Sequence, residues 1–256
     1  MLAAAMVLAS AAGAIAHDAC HLETISDVKA VTVLDGRTIA FEDGREARLT
    51  GLQIPNPYAR AAKDALTALI AGQPITLKRS GSFQDRYGRL IVFAFAKDHP
   101  DRSLNSTLLS GGYARMMPSR ATEGCAAPLL EAEAEARAAQ AGLWSDRAFH
   151  PLEAGDRARI LAERGRFALV EGKVLSVHEA GKTIYVNFGR HWSRDFSIVI
   201  LKRYQRAFSA AGVEPKALDH RHIRVRGIIE RRGGPIIEAE HPEQIEIVDQ
   251  YARVMQ

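Results

Sequence analysis

The chain reads as a mainly β fold with helices (α+β), arranged as two small barrels in tandem, and three observations predict it. Between Val28 and Ala96 the patterned segments run three strands, a helix, two strands. Between Phe167 and Val248 the same order returns without any recurrence of the sequence itself. The composition, 47% hydrophobic and 25% charged over 256 residues, suits a soluble globular chain long enough for two domains. Three strands, a helix and two strands is the order of the five-stranded OB-type barrel. The expectation is therefore an OB-type barrel with added helices over 17–145, a connector over 146–165 and a second OB-like β-barrel over 166–256.

The elements follow in order. Alternating or β-branched residues predict strands at Val28–Leu34, Thr38–Phe41 and Arg45–Leu52. Pro57 to Ala71 has helical periodicity, with Ala62, Leu66 and Leu69 on one face. Strands follow at Pro74–Lys78 and Leu90–Ala96. Ser103 has the side chain to cap a helix that runs to Ser110, where Gly111 and Gly112 stop it. Pro128 to Ala141 is rich in alanine and glutamate, and Gly142 closes it. The charged stretch from Ser145 to Arg164 lacks strand periodicity and reads as a partly helical connector. Beyond it come strands at Phe167–Val177, Thr183–Phe188 and Phe196–Leu201, a helix at Arg203–Ala211, and strands at Ile223–Glu230, Ile236–Ala239 and Ile245–Val248.

The net charge of +4 and pI near 9.2 favour polyanionic partners such as nucleic acid or a membrane surface. The first sixteen residues are apolar and end in Ala14-Ile15-Ala16, the small-x-small pattern of a signal peptide, which implies a bacterial protein that is periplasmic or secreted. An alanine-rich N-terminal helix is the alternative; the missing basic flank would place the true start upstream. No segment approaches the twenty apolar residues of a membrane span. Two cysteines, Cys20 and Cys125, form an even pair that can bridge in an oxidising compartment, and a Cys20–Cys125 disulfide is the expectation, with free thiols as the alternative.

Four segments carry chemistry: Val-Leu-Asp-Gly-Arg-Thr at 33–38, Arg-Leu-Thr-Gly-Leu-Gln-Ile-Pro-Asn at 48–56, Asp-Arg-Tyr-Gly-Arg at 85–89 and Gly-Leu-Trp at 142–144. In order and spacing they resemble the staphylococcal nuclease (thermonuclease) family, over roughly Val28 to Trp144. The resemblance implies an OB-fold barrel with extra helices that binds phosphodiesters. In that family a catalytic calcium is held by aspartates at the positions of Arg37 and Gln53, and the glutamate taken as the general base falls at Asn56. A hard divalent cation needs several anionic oxygens, so the calcium site is expected to be lost and no cofactor is expected. What the resemblance leaves is a pair of phosphate-binding arginines, Arg48 and Arg89, with Asp35 and Asp85 beside them. Arg37 fills the vacated metal position with positive charge. A guanidinium suits a phosphodiester because its planar fork donates two parallel hydrogen bonds. Structural ion pairs of Arg48 and Arg89 with Asp35, Asp85 or a helix end are the competing reading. Trp144 and Arg137 are markers of the fold.

In the second half Trp192, Arg190 and Arg194 are nucleic-acid-binding candidates, because OB folds combine stacking aromatics with cations. Tyr185, Phe188 and Phe196 read as core, and the basic turn Arg231 to Gly234 as solvated. Tyr185 to Gly189 and His241 to Glu246 resemble the C-terminal region of bacterial exported nuclease-like proteins. His220 and His222 have no third ligand at a telling spacing, so no metal is expected there.

Three functions remain open. One is a catalytically degenerate, exported protein that binds nucleic acid or another phosphate polymer through its arginines. The second is an active phosphodiesterase with Asp35, Asp85 or Asp101 as replacement acids. The third is an envelope module that binds protein or glycan. Oligomeric state is not readable.

Overall fold

The computed structural model describes residues 20–248 except Ser82 and Trp192. The expected leader at 1–16 and the candidate Trp192 lie outside the described residues. The fold is mixed α+β, mostly strands, with five α-helices among the described residues.

In the first half β1 (Glu23–Asp35), β2 (Thr38–Phe41), β3 (Glu46–Leu49) and the two-residue β4 (Leu52–Gln53) lead to α1 (Ala59–Ile70). Then come β5 (Pro74–Arg79), β6 (Leu90–Ala96), β7 (His99–Ser103), α2 (Leu104–Ser110), β8 (Arg115–Met116) and α3 (Ala127–Ala138). Strand β1 starts earlier than its periodicity indicates, at Glu23, because its first residues pair with the whole of β5 while its last ones pair with β2. Strand β3 pairs with β2 on one edge and, in parallel, with β6 on the other, and β6 pairs with β5. Each of these five strands thus has a backbone partner on both edges.

The expected strand at Arg45–Leu52 is divided. Gly51 turns the chain with φ +75, and a Cβ there would stand 2.6 Å from Leu129 Cδ1, so glycine is required twice over. After this turn β4 leaves the large sheet and pairs with β8. Helix α1 buries Ala62, Leu66 and Ile70, with Leu69 only partly buried beside them. Ser103 caps α2 as its position requires, accepting a hydrogen bond from Ser106 N at 3.0 Å. Strand β7 has no counterpart in the sequence reading, since His-Pro-Asp-Arg-Ser has no apolar alternation to reveal it.

The connector is more ordered than its composition indicates. It holds β9 (Leu152–Glu153) and α4 (Arg157–Ala162), the latter capped by Asp156. The second half continues with β10 (Phe167–Lys173), β11 (Ser176–Ala180), β12 (Thr183–Asn187), β13 (Ser197–Leu201) and α5 (Lys202–Ala210). It ends with β14 (His222–Ile228), β15 (Glu230–Arg232), β16 (Gly234–Glu238) and β17 (Ile245–Ile247). The elements occur in the expected order, but the pairings form two sheets, β17-β14-β10-β9 and β11-β12-β13-β16-β15. The reason lies at β14. A strand has two edges; β10 takes one and β17 the other, so β16 pairs with β15 and not with β14, while its parallel pairing with β13 repeats that of β6 with β3. The single expected strand Phe167–Val177 accordingly breaks at Val174 and Leu175, with β10 in one sheet and β11 in the other.

Each half has its own apolar core, around Leu66, Leu77 and Leu108 in the first and Val170, Ile198 and Phe208 in the second. A third cluster, Ala136, Leu143, Trp144, Phe167 and Leu169, joins them. Strand β10 is the seam: Phe167 and Leu169 pack into this joining cluster while Ala168 and Val170 face the second core. Gly142 before Leu143 and Trp144 is needed because the backbone passes against Gly112, where a Cβ would meet Gly112 O at 2.3 Å.

Candidate anion-binding site

The turn between β1 and β2 is built by Asp35. Its Oδ1 accepts from Arg37 N at 2.8 Å and its Oδ2 from Thr38 Oγ1 at 3.0 Å, a local cap that holds the turn from which Arg37 projects. Gly36 between them lies against α1, where a Cβ would come within 2.6 Å of Ala62 Cβ. The Arg37 guanidinium reaches back over the turn, and its Nη1 donates to Leu52 O in β4. Among the described residues no carboxylate lies within ion-pair distance of this guanidinium or of that of Arg48.

Arg48 stands on β3, opposite Thr38 in β2 and Ile91 in β6, on the face away from the buried Ala47 and Leu49. The segment Asp85 to Arg89 is a turn held by its own side chain. Asp85 Oδ1 accepts from Tyr87 N and Arg89 N at 2.9 and 3.1 Å, and Gly88 adopts φ +77. Arg89 donates through Nε to Asp85 Oδ2 at 2.7 Å and lies 4.9 Å from the Tyr87 ring centre. This pairing raises the Arg89 pKa, with the Asp85 hydrogen bond as its main cause. Tyr87 is 67% exposed. Beside it is an open groove of about 580 Å³ lined by Arg45, Glu46, Gln84, Tyr87, Arg89 and Leu90.

The three motif segments are brought together. The Arg37 pKa falls to about 10, first because the group is largely buried and next because Arg48, and more weakly Arg89, repel its charge; Asp35 opposes them. Arg37 remains fully charged at neutral pH, and so the fold holds mutually repelling guanidinium groups in one place. Asp85 and Asp35 are both engaged, Asp85 by Arg89 and Asp35 by its own turn. Gln53 is engaged as well, its Oε1 accepting from Arg115 Nε at 2.9 Å. Asn56 is exposed at the start of a short helical turn before α1.

The other candidates lie elsewhere. Arg190 and Arg194 are exposed in the loop between β12 and β13, Arg194 Nε standing 3.6 Å from Asp195 Oδ1. Phe196 is buried in the core and packs on the partly buried Phe188, whereas Tyr185, expected as core, lies on the outer face of β12 and stacks on the exposed His178 at 5.2 Å, because the buried positions alternate with it at Ile184 and Val186. His222 pairs with Glu171 at 3.4 Å and His220 with Asp219 at 3.7 Å. Cys20 and Cys125 form a disulfide with Cα atoms 4.6 Å apart, in keeping with the even cysteine count. Trp144 is buried under the Arg137 guanidinium, 5.6 Å away, and is a packing residue.

Two arrangements had no sequence signal. Arg115 is buried between the Phe149 and Phe167 rings, at 5.7 and 5.1 Å, and burial pulls its pKa to about 10. The larger one is an ion network at the junction of the halves. Arg226 of β14 and Glu133 of α3 are both 0% exposed and joined at 2.6 Å. Glu246 of β17 accepts from Arg226, and lies 3.2 Å from both Arg137 and Arg224. Arg224 also pairs with Glu171 at 2.7 Å. In β14 these arginines occupy alternate positions, which by pattern alone read as a solvated face.

Residues 43–146 match the model of a protein family described as staphylococcal nuclease homologue. This stretch includes Arg48, Gln53, Asn56, Asp85, Arg89 and Trp144, and it leaves Asp35 and Arg37 just outside. The chain thus carries a thermonuclease-family domain in its first half. No curated protein matches the chain.

Proposed function

We propose that this thermonuclease-family domain binds single-stranded nucleic acid, or another phosphate polymer, without cleaving it. The observation that carries the reading is the convergence of Arg37, Arg48 and Arg89, with two of the three guanidinium groups lacking a carboxylate partner among the described residues. Such a site lowers its own repulsion by taking up an anion. The exposed Tyr87 beside the groove adds a ring on which a base can stack. Calcium fits this donor set poorly. A guanidinium takes the place of one carboxylate, Gln53 is committed to Arg115, and both oxygens of Asp35 already accept hydrogen bonds. Asn56, at the position of the family's general base, is an amide and cannot accept the proton that hydrolysis requires.

The protein is read as exported, on the strength of its Ala14-Ile15-Ala16 pattern and a disulfide of the kind that persists in oxidising compartments. Both halves are read as variants of one OB-type barrel, the second open where β14 pairs with β17. Among the described residues no helix is long and apolar enough to cross a membrane.

The test is an assay of the mature protein on labelled single-stranded DNA and RNA, with calcium, with other divalent ions and with chelator, beside the variant Arg37→Ala/Arg48→Ala. Salt-sensitive binding without cleavage, lost in the variant, is expected. Metal-dependent cleavage that the variant lacks would make the protein an active phosphodiesterase and overturn the reading.

A further inference from the structure

We propose that Arg226, far along the chain in the second half, is a positioning residue for the anion site of the first half. The inference rests on the binding reading above and on an unbroken series of contacts. Arg226 Nη1 donates to Met116 O at 3.0 Å and to Glu133 Oε2 at 2.6 Å. Glu133 Oε1 in turn accepts from Met116 N at 3.1 Å. The peptide groups on both sides of Met116 are therefore held, one by the second half directly and the other by the carboxylate that Arg226 orients. Met116 faces Leu52 in the β4–β8 ladder, and Leu52 O receives the Arg37 guanidinium.

Two features make this series consequential. The β4–β8 ladder is only two residues long on each strand, so few hydrogen bonds of its own resist a shift. Arg37 has no carboxylate within ion-pair distance among the described residues, and Leu52 O is the one acceptor for its guanidinium there. The direction of that guanidinium is set by where β4 lies, and β4 lies where β8 is clamped. Arg226 can act as the clamp because its fork reaches Met116 O, Glu133 and Glu246 together. Lysine keeps the charge but cannot make those contacts at once.

The experiment is a double-mutant cycle on the full chain, with Arg37→Ala, Arg226→Lys and both together. Single-stranded DNA affinity is read at fixed salt, and the guanidinium resonances of Arg37 are read by NMR without ligand. Thermal unfolding establishes that each variant is folded. Arg226→Lys is expected to weaken binding about three- to tenfold and to sharpen exchange or rotation at the Arg37 guanidinium. The double variant is expected to bind no worse than Arg37→Ala alone, because Arg226 acts through Arg37. Additive losses, or an Arg226→Lys protein whose Arg37 resonances and affinity match the parent, would overturn the proposal. If Arg226→Lys does not fold, Arg226→Met with Glu133→Gln and Glu246→Gln removes the charges together and the same cycle applies. A parent that binds no DNA, in which Arg37 nevertheless loosens on Arg226→Lys, would sink the binding function and leave the positioning intact.

Discussion

Two groups of arginines in this molecule differ in what surrounds them, and the difference separates a candidate binding site from a joint. At the junction of the halves Arg226, Arg224 and Arg137 each meet at least one carboxylate of Glu133, Glu246 or Glu171. At the candidate site Arg37 and Arg48 have no such partner among the described residues, and Arg89 has Asp85 alone within ion-pair distance. The titration shifts follow. Arg226 suffers full burial, yet Glu133 and Glu246 raise its pKa above the ordinary value. Arg37 is buried less completely and its pKa falls, because burial and neighbouring cations act in the same direction. A compensated guanidinium is a structural part, and an uncompensated one near the surface is available to an outside anion.

The sharpest way to break the comparison is at Glu133. Glu133→Ala leaves Arg226 buried beside one carboxylate and releases Met116 N, so a loss of about 3–5 kcal/mol in urea unfolding is expected. A loss under 1 kcal/mol would mean that the joint behaves as a surface salt bridge. Next comes the disulfide, which belongs to the first half only. It closes a separation of 105 residues, and Cys20→Ala with Cys125→Ala is expected to cost about 5 kcal/mol in the chain-entropy account. A thermal melt with and without reductant checks it, and an unchanged midpoint would contradict it.

Acid weakens the joint. Burial alone would raise the pKa of Glu246, but Arg226, Arg137 and Arg224 together lower it from 4.5 to about 2. A carboxylate with a lowered folded-state pKa stabilises fully above its unfolded value and loses that contribution as pH falls toward the folded one. The expected loss is about 3 kcal/mol between pH 4.5 and 2. Urea unfolding across that window measures it, and Glu246→Gln should flatten the slope there whatever its own cost in stability.

At the site the effects are smaller. Arg48→Ala is expected to weaken DNA binding roughly tenfold and to reduce the salt slope by about 1. Arg89→Ala should cost less, since Arg89 already shares its charge with Asp85; the reverse order in a fluorescence titration would contradict this ranking. Smallest of all, Arg190→Ala with Arg194→Ala should change affinity by less than about twofold. An effect equal to that of Arg48→Ala would place a second binding face in the loop between β12 and β13.

Much of the first half was legible in the sequence because its signals are local. Strand alternation, the Ser103 cap and the Gly111, Gly112 and Gly142 stops act within a few residues of themselves. The candidate arginines are legible for the same reason, since Arg37, Arg48 and Arg89 each sit in a short patterned segment. Not legible were β7, whose charged residues conceal its pairing, the division of Arg45–Leu52 at Gly51, and the order within the connector. In the second half the strands were readable and their partners were not, since periodicity states which face of a strand is apolar but not which edge is taken first.

By itself, then, the sequence determined most of the segments, the even cysteine pair and the substitution of arginine, glutamine and asparagine where the resembling family holds acids. Only the tertiary structure decided that β17 occupies the edge of β14, that α3 covers the arginine-bearing face of that strand, and that Arg226 reaches Met116. The physical reason is that burial of a charge depends on what another part of the chain brings to it. An arginine on alternate strand positions is solvated or sealed according to whether a carboxylate arrives from elsewhere, and no local pattern carries that information.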